Sequence, residues 1–525
     1  MELRRPHPLV LIVCFAAAGC AGKIAGETPR DAGVPASDAR VGATDAGSAD
    51  AASPDGASTD AGADDAGSTD GTLLDDRGVA DGAGPGDAAA GDATPAGDGG
   101  AADTGVASAC AIPRPIDEGV TYARTLHVAT SGTPGGDGSS ANPFDTLDRA
   151  ASAATPGTRI RVGAGRYPAV SLGRLSGEEG RPIALVADGQ VVIDASSGVG
   201  ISMSDGQWVV IEGFTIEGAT VHGMNLDDDG TLDTPSHHLV LRGLTIAGAG
   251  SGGNNDCIKL SGIDDFWVLD SDVSGCNQGE IIDMVGCHRG VIHNNRFHDT
   301  VGSGVQTKGG SSDTLIHGNT FENIPGRAVN AGGSTGLAYL RPPDATYEAA
   351  RIRVIANVFV GSGANGGAAI AYVGCDGCVA AHNTVIAPRT WVLRILQENT
   401  AAGFVPSRNG VFANNVIVLN AADIRTIVNV GAGTAPETFS FRNNLWYALD
   451  QGAGWVPPIS GGVPPETGSI VQVDPNMPGR AGGDYRLAAP SPAAGAGSAL
   501  GFPLPSDREG RCYADPATLG AFEMP

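Results

Sequence analysis

The stretch GVQTKGGSSDTLIHGNTF, residues 304–321, decides how the chain folds. It holds two short alternating runs separated by Gly309-Gly310. Just upstream lies DMVGCHRGVIHNNRF, residues 283–297, and the two stretches align without gaps. Asn295 falls on Asn319 and Phe297 on Phe321, 24 residues apart each time. A fixed period in this range means stacked repeats, none of which can bury its own apolar face alone.

The Asn-x-apolar signature recurs as NRF at Asn295, NTF at Asn319, NVF at Asn357, NTV at Asn383, NNV at Asn414 and NNL at Asn443. Earlier cognates are GFTI (213–216), GLTI (243–246) and DSDV (270–273). The spacings between successive asparagines run from 24 to 38, so some turns carry insertions. The runs between, such as QWVVIEGFTI and RIRVIANVFV, are β-branched and alternate in polarity. They are bounded by Gly, Asn and Asp, which are strand and turn signals. Asparagines at one repeated turn can hydrogen-bond into a ladder.

These features resemble the right-handed parallel β-helix of the pectate-lyase-like superfamily. The resemblance implies an all-β, single-stranded right-handed parallel β-helix of about ten coils over residues 122–505. Its open ends need covering. NPFDTLDRAASAAT, 142–155, reads as an N-terminal capping helix, with Asn142 at the N-cap and Pro143 at the first helical position. The block 126–168 resembles the N-terminal segment of many extracellular β-helix proteins. DYRLAAPSPAAGAG and LGAFE resemble their C-terminal closing motif. The expected organisation is a leader over 1–20, a disordered linker over 21–110, a cap over 111–170, coils over 171–480 and a closing segment over 481–525.

Composition agrees with this division. Of 525 residues 80 are glycine and 5% are aromatic, which is unlike a mixed-core domain. The net charge is -26, and residues 21–110 hold 17 acids against four bases. No basic patch selects nucleic acid as a partner. Residues 27–108 are mostly Ala, Asp, Gly, Ser, Thr and Pro with no aromatic, too apolar-poor to offset their ordering entropy, and read as an acidic spacer. The start, MELRRPHPLVLIVCFAAAGC, has the charged end, apolar core and small-residue site of a signal peptide. Cleavage before Cys20 resembles the bacterial lipobox, which implies acylation of Cys20. The protein would then be an exported monomer, held by lipid at the outer membrane or cell surface. Seven cysteines follow the leader, an odd number, so at least one is free or pairs elsewhere. Cys375 and Cys378 form a C-x-x-C with no second pair at zinc spacing, so a local bridge or packed thiols is expected.

The superfamily's common chemistry is β-elimination of uronic-acid polymers, which requires a cation, a base and a groove. NLDDDGTLD, 225–233, places Asn225, Asp227, Asp229 and Asp233 at the oxygen-ligand spacing of a calcium loop, with Gly230 at the turn. The glutamate of an EF-hand is absent, and the run resembles the shorter calcium loops of exported proteins. DCIKLSG and VQTKGG resemble the lysine-bearing strand of family 9 pectate lyases, which points to Lys259 and Lys308 as candidate bases. Arg327, 19 residues after Lys308, resembles the Lys-then-Arg order of the alginate lyase and chondroitinase B family. That family's glutamates before the lysine are replaced here by Ser303 and Gly304. In the gapless alignment Lys259 stacks over Asp283 with Lys308 within one residue of that column, which also fits a structural charge ladder. His293 and His317 align 24 apart and read as a packed column rather than a metal site. Asn330, Tyr339, Arg341, Trp391 and Arg394 are candidates for a sugar groove. The expected function is that of a polysaccharide-lyase-like protein acting on an acidic glycan, with calcium as cofactor. The alternative is a non-catalytic, glycan-binding or adhesive surface protein.

Overall fold

The computed structural model describes residues 110–525, apart from 232–234, 253 and 278. The leader, the linker and Cys20 therefore lie outside the described residues, as does Asp233. Every ladder between named strands is parallel, and the chain winds as a right-handed β-solenoid of about 12 turns. The segment over 124–168, expected as part of a cap, is itself paired into the stack.

The turns build a 10-stranded sheet, a three-stranded sheet and a 21-stranded sheet. The largest contains two strand series that meet at the bend carrying the repeated asparagines. In one, Val291, Leu315, Arg353, Val379, Val411 and Ser440 are in register; in the other, Phe297, Phe321, Phe359, Val385, Ile417 and Trp446. Inward residues fill the interior by stacking on their own equivalents. Phe297, Phe321 and Phe359 lie with centroids 5.2 and 4.9 Å apart, all fully buried.

The asparagine ladder forms. Asn295 donates from its backbone and side-chain nitrogens to Asn319 Oδ1, both at 2.9 Å. The same double donation runs from Asn319 to Asn357, then to Asn383, Asn415 and Asn444. It ends on Glu466 Oε1, which accepts from Asn444 N at 3.2 Å and Nδ2 at 2.7 Å. In the last two coils the ladder residue is the second asparagine of each NN pair, not Asn414 or Asn443. The first member instead takes a left-handed turn, at φ 58° and 52°.

The capping helix is shorter than its sequence suggests, Leu147–Ala153, with Thr146 at the N-cap. Phe144 pairs as extended backbone with Val128 and Thr133, so Asn142 and Pro143 precede a bridge and not a helix. Leu147, Ala150 and Ala151 are the buried face. The closing segment returns along the outside of the 21-stranded sheet. There Met477, Ala493 and Leu519 cover Ile386, Val416, Val418 and Leu445, an apolar face that would otherwise be exposed. Arg508 Nη2 donates to Thr320 Oγ1 at 2.6 Å, and a disulfide joins Cys110 to Cys512 across 402 residues. Two further disulfides, Cys257–Cys276 and Cys375–Cys378, leave Cys287 as a buried thiol. His293 and His317 stack at 5.0 Å, and His317 Nε2 meets Ser506 O at 2.7 Å. The closing segment thus occupies the outer side of that column. No described helix is long and apolar enough to cross a membrane.

Candidate functional site

The outward residues of the 10-stranded sheet form one polar column. Asn225, Lys259, Asp283, Gln306 and Asn330 are in direct register on successive turns. Side chains alternate along short strands such as Ile258–Ser261 and Val305–Lys308, so apolar neighbours face in and these face out, with Gln306 and Lys308 themselves buried on the outer face. The step from Asp283 to Gln306 is 23 residues, whereas Asn295 to Asn319 is 24. Lys308 is therefore level with Val285, two residues along from the Asp283 column and on the same face.

Asp283 is the hub. Its Oδ2 takes Lys259 Nζ in a short charged hydrogen bond and lies 3.4 Å from Lys308 Nζ. Its Oδ1 accepts from Gln306 Nε2 at 3.1 Å, and Asn330 Nδ2 donates to Gln306 Oε1 at 2.6 Å. Burial pushes the Asp283 carboxyl up, but Lys259 and Lys308 outweigh it and hold it at about 2. Both lysines are mostly buried, their side chains 13% and 9% exposed. The Lys308 stem lies under Gly333, where an added methyl would come within 3.1 Å of its Cβ.

Two further carboxylates join Asp283. Oxygens of Asp256, Glu280 and Asp283 lie within 4.8 Å of one another, a grouping able to hold a metal ion. Asp256 Oδ1 accepts from Glu280 N at 2.8 Å, while Asp256 Oδ2 is buried without a hydrogen bond. Burial, reinforced by Asp283, pushes both Asp256 and Glu280 above the ordinary carboxyl range. Three hard oxygen donors suit calcium, and Asp256 Oδ2 also lies 3.8 Å from Lys259 Nζ. His222 borders the group, accepting the Asp256 N–H at 3.0 Å through Nδ1. Burial, then Lys259, lowers its imidazole to about 4.

Asp256, Glu280 and His222 escaped the sequence reading because they sit on turns entering strands, outside the alternating pattern. The available signal was the 24-residue interval from Asp256 to Glu280, equal to the repeat.

The predicted calcium loop is arranged differently. Asn225 lies on a strand and donates to Asp227 Oδ2 at 2.9 Å. Asp229 pairs with Arg174. Asp228, which falls between the predicted ligand positions, is the buried carboxylate, and its Oδ2 has no hydrogen-bond partner among the described residues. Arg327 sits one turn beyond Gln306, donating to Asn330 Oδ1 at 3.3 Å and Glu398 Oε1 at 2.5 Å. Of the groove candidates, Arg341 is buried against Asp264 and Gly286 O. Tyr339 is 44% exposed on the insertion near Lys308. Arg394 lies over Trp391, 4.4 Å from the ring centroid, three registers past Gln306.

Residues 199–386 match the family model described as right handed beta helix region. No curated protein matches the chain. Among solved structures, pectate lyase Pel9A is similar at 18% identity and TM-score 0.44, covering 78% of this chain and 99% of that one. Alginate lyase from Paenibacillus sp. str. FPU-7 is similar at 17% and 0.37, covering 59% and 99%. PfbA, a surface adhesin of Streptococcus pneumoniae, is similar at 12% and 0.37, covering 57% and 85%.

Proposed function

We propose that this is an exported polysaccharide-lyase-like protein, lipid-anchored through Cys20, that cleaves an acidic, uronate-containing glycan by β-elimination. The observation that carries the reading is the placement of three clustered carboxylates beside Lys308 on one outer face, with Arg327 one turn away. Asp256, Glu280 and Asp283 would hold a calcium ion, which would neutralise the substrate carboxylate and acidify its C5 proton. Arg327 is placed to orient that carboxylate. Lys308 Nζ takes the C5 proton, the freed electron pair forms the C4–C5 double bond, and the C4–O bond breaks. The leaving oxygen takes a proton from water.

Lys308 must be neutral to act as a base, and Asp283 beside it favours the charged form. A calcium ion held by Asp283 would offset its negative charge and so weaken that restraint. The base is thus expected to be available only in the calcium-loaded protein. The test is turnover of polygalacturonate, alginate and chondroitin, followed through the ultraviolet absorbance of the unsaturated product, with calcium or chelator. Absence of product on all three, with calcium present, sinks the reading. Asp256→Asn and Asp227→Asn separate the carboxylate cluster from the 225–233 loop as the calcium site.

One observation favours a second reading. Asp283 contacts both ammonium groups, which is how a structural charge ladder holds its lysines charged. On that reading the protein binds acidic glycans at a surface without cleaving them. Retained binding with no product in any condition selects it.

A further inference from the structure

On the outside of the 21-stranded sheet, around the corner from Lys308, a groove of about 460 Å³ carries a second set of charges. Lys308 and Asp313 are five residues apart on the same turn, so the two faces are neighbours. The groove floor is a column of left-handed turn residues, Asp265, Arg289, Asp313 and Arg351, at φ 51°, 57°, 58° and 53°. That conformation is strained for an L-residue, and glycine is the default occupant. Here the column is charged instead. Arg289 grips Asp265 through two bonds of 2.8 and 2.9 Å, and Arg351 grips Asp313 through two of 2.7 and 2.6 Å.

Those pairs balance each other, and Arg353 does not belong to either. It is exposed, stands over the Phe502 ring at 4.4 Å, and has no carboxylate partner among the described residues. The lining therefore carries an unbalanced positive charge in a chain of net charge -26. The volume is in the range of small-molecule sites, roughly 300–1,000 Å³.

We infer that this groove is a second glycan-binding site, in which Arg353 takes the carboxylate of a uronate residue. The inference rests on the acidic-glycan reading given above and not on turnover.

Calorimetry on the full chain carrying Lys308→Ala tests it, with oligogalacturonate, oligoalginate, chondroitin oligosaccharide and a neutral galactan oligomer as probes. At least one acidic oligomer is expected to bind and the neutral one not. Adding Arg353→Glu is expected to weaken that binding about tenfold or more, because a charged pair becomes a repulsion. Unchanged affinity with Arg353→Glu, equal binding of the neutral oligomer, or no acidic oligomer binding at all would overturn the inference. Arg353-dependent binding without turnover in the parent protein retires the lyase reading alone. Turnover in the parent without Arg353-dependent binding in the Lys308→Ala protein retires the groove alone.

Discussion

Two polar columns run up this solenoid at nearly the same period, and they differ in how completely their hydrogen bonds are met. In the ladder from Asn295 to Asn444 each step is a double donation to the next carboxamide oxygen, and the last step ends on Glu466. In the column from Lys259 to Asn330, one carboxylate serves two ammonium groups, and Asp256 Oδ2 beside it is buried with no hydrogen bond. A satisfied buried network specifies and rigidifies a fold. An incompletely satisfied charged one is costly to keep, and its retention points to a partner that completes it. The first column is the architecture, and the second is where chemistry is to be sought.

The sharpest way to break the contrast is Asp283→Ala. It leaves two mostly buried ammonium groups without their shared acceptor, at a cost of about 3–5 kcal/mol. Chemical denaturation would read this directly; a loss below about 1 kcal/mol would mean that the lysines find solvent and the column is an ordinary surface. A pH titration examines the same hub. The Asp283 carboxyl is held below its unfolded value, so its contribution is present above about pH 4 and fades as the pH falls toward 2. Stability that is flat through that window would contradict the hub.

Asn357→Ala comes next. It strands Asn319 N inside the stack and removes the side-chain donor to the Asn383 carboxamide oxygen, which keeps the residue 357 N–H, and each lost partner costs about 1–3 kcal/mol. The expected loss is about 3 kcal/mol, with a cooperative transition retained. Calcium is expected to act in the other direction. At about 100 times its dissociation constant it should stabilise by roughly 2.7 kcal/mol. Asp256→Asn should abolish this increment while leaving the asparagine ladder untouched. An increment that survives Asp256→Asn but not Asp227→Asn returns the metal to the 225–233 loop.

The sequence carried the first column better than the second, for a physical reason. A buried position shared by every turn must repeat, so Asn295, Asn319, Asn357 and Asn383 can be read by spacing alone. Where two asparagines adjoin, as at Asn414-Asn415, spacing cannot separate the ladder residue from its left-handed neighbour. The Lys259–Asp283 pair was legible because both lie on strands in gapless register. Asp256, Glu280 and His222 sit on turns, where insertions break the count. The register shift of one residue that sets Lys308 two positions from the Asp283 column, on the same face, belongs to the corner, not to either strand. The return of the closing segment over His317, fixed by a bridge spanning 402 residues, has no local signal at all.

The smallest expected effect on stability is the most informative about function. Lys308→Arg keeps a positive charge beside Asp283, which also retains Lys259 and Gln306. The change should therefore cost no more than about 1 kcal/mol, most of it from fitting a larger head beneath Gly333. A guanidinium is far harder to deprotonate than an ammonium, so a reaction needing Lys308 as base should be lost. If the column is only a charge ladder, the same protein should bind acidic oligomers as the parent does, and any turnover should persist. Lys259→Arg provides the matched control, because Lys259 meets the same Asp283 oxygen from the opposite side. Loss of turnover with Lys308→Arg and not with Lys259→Arg assigns the base. Equal loss with both would mean that the charge pattern around Asp283 matters, and not one lysine's proton.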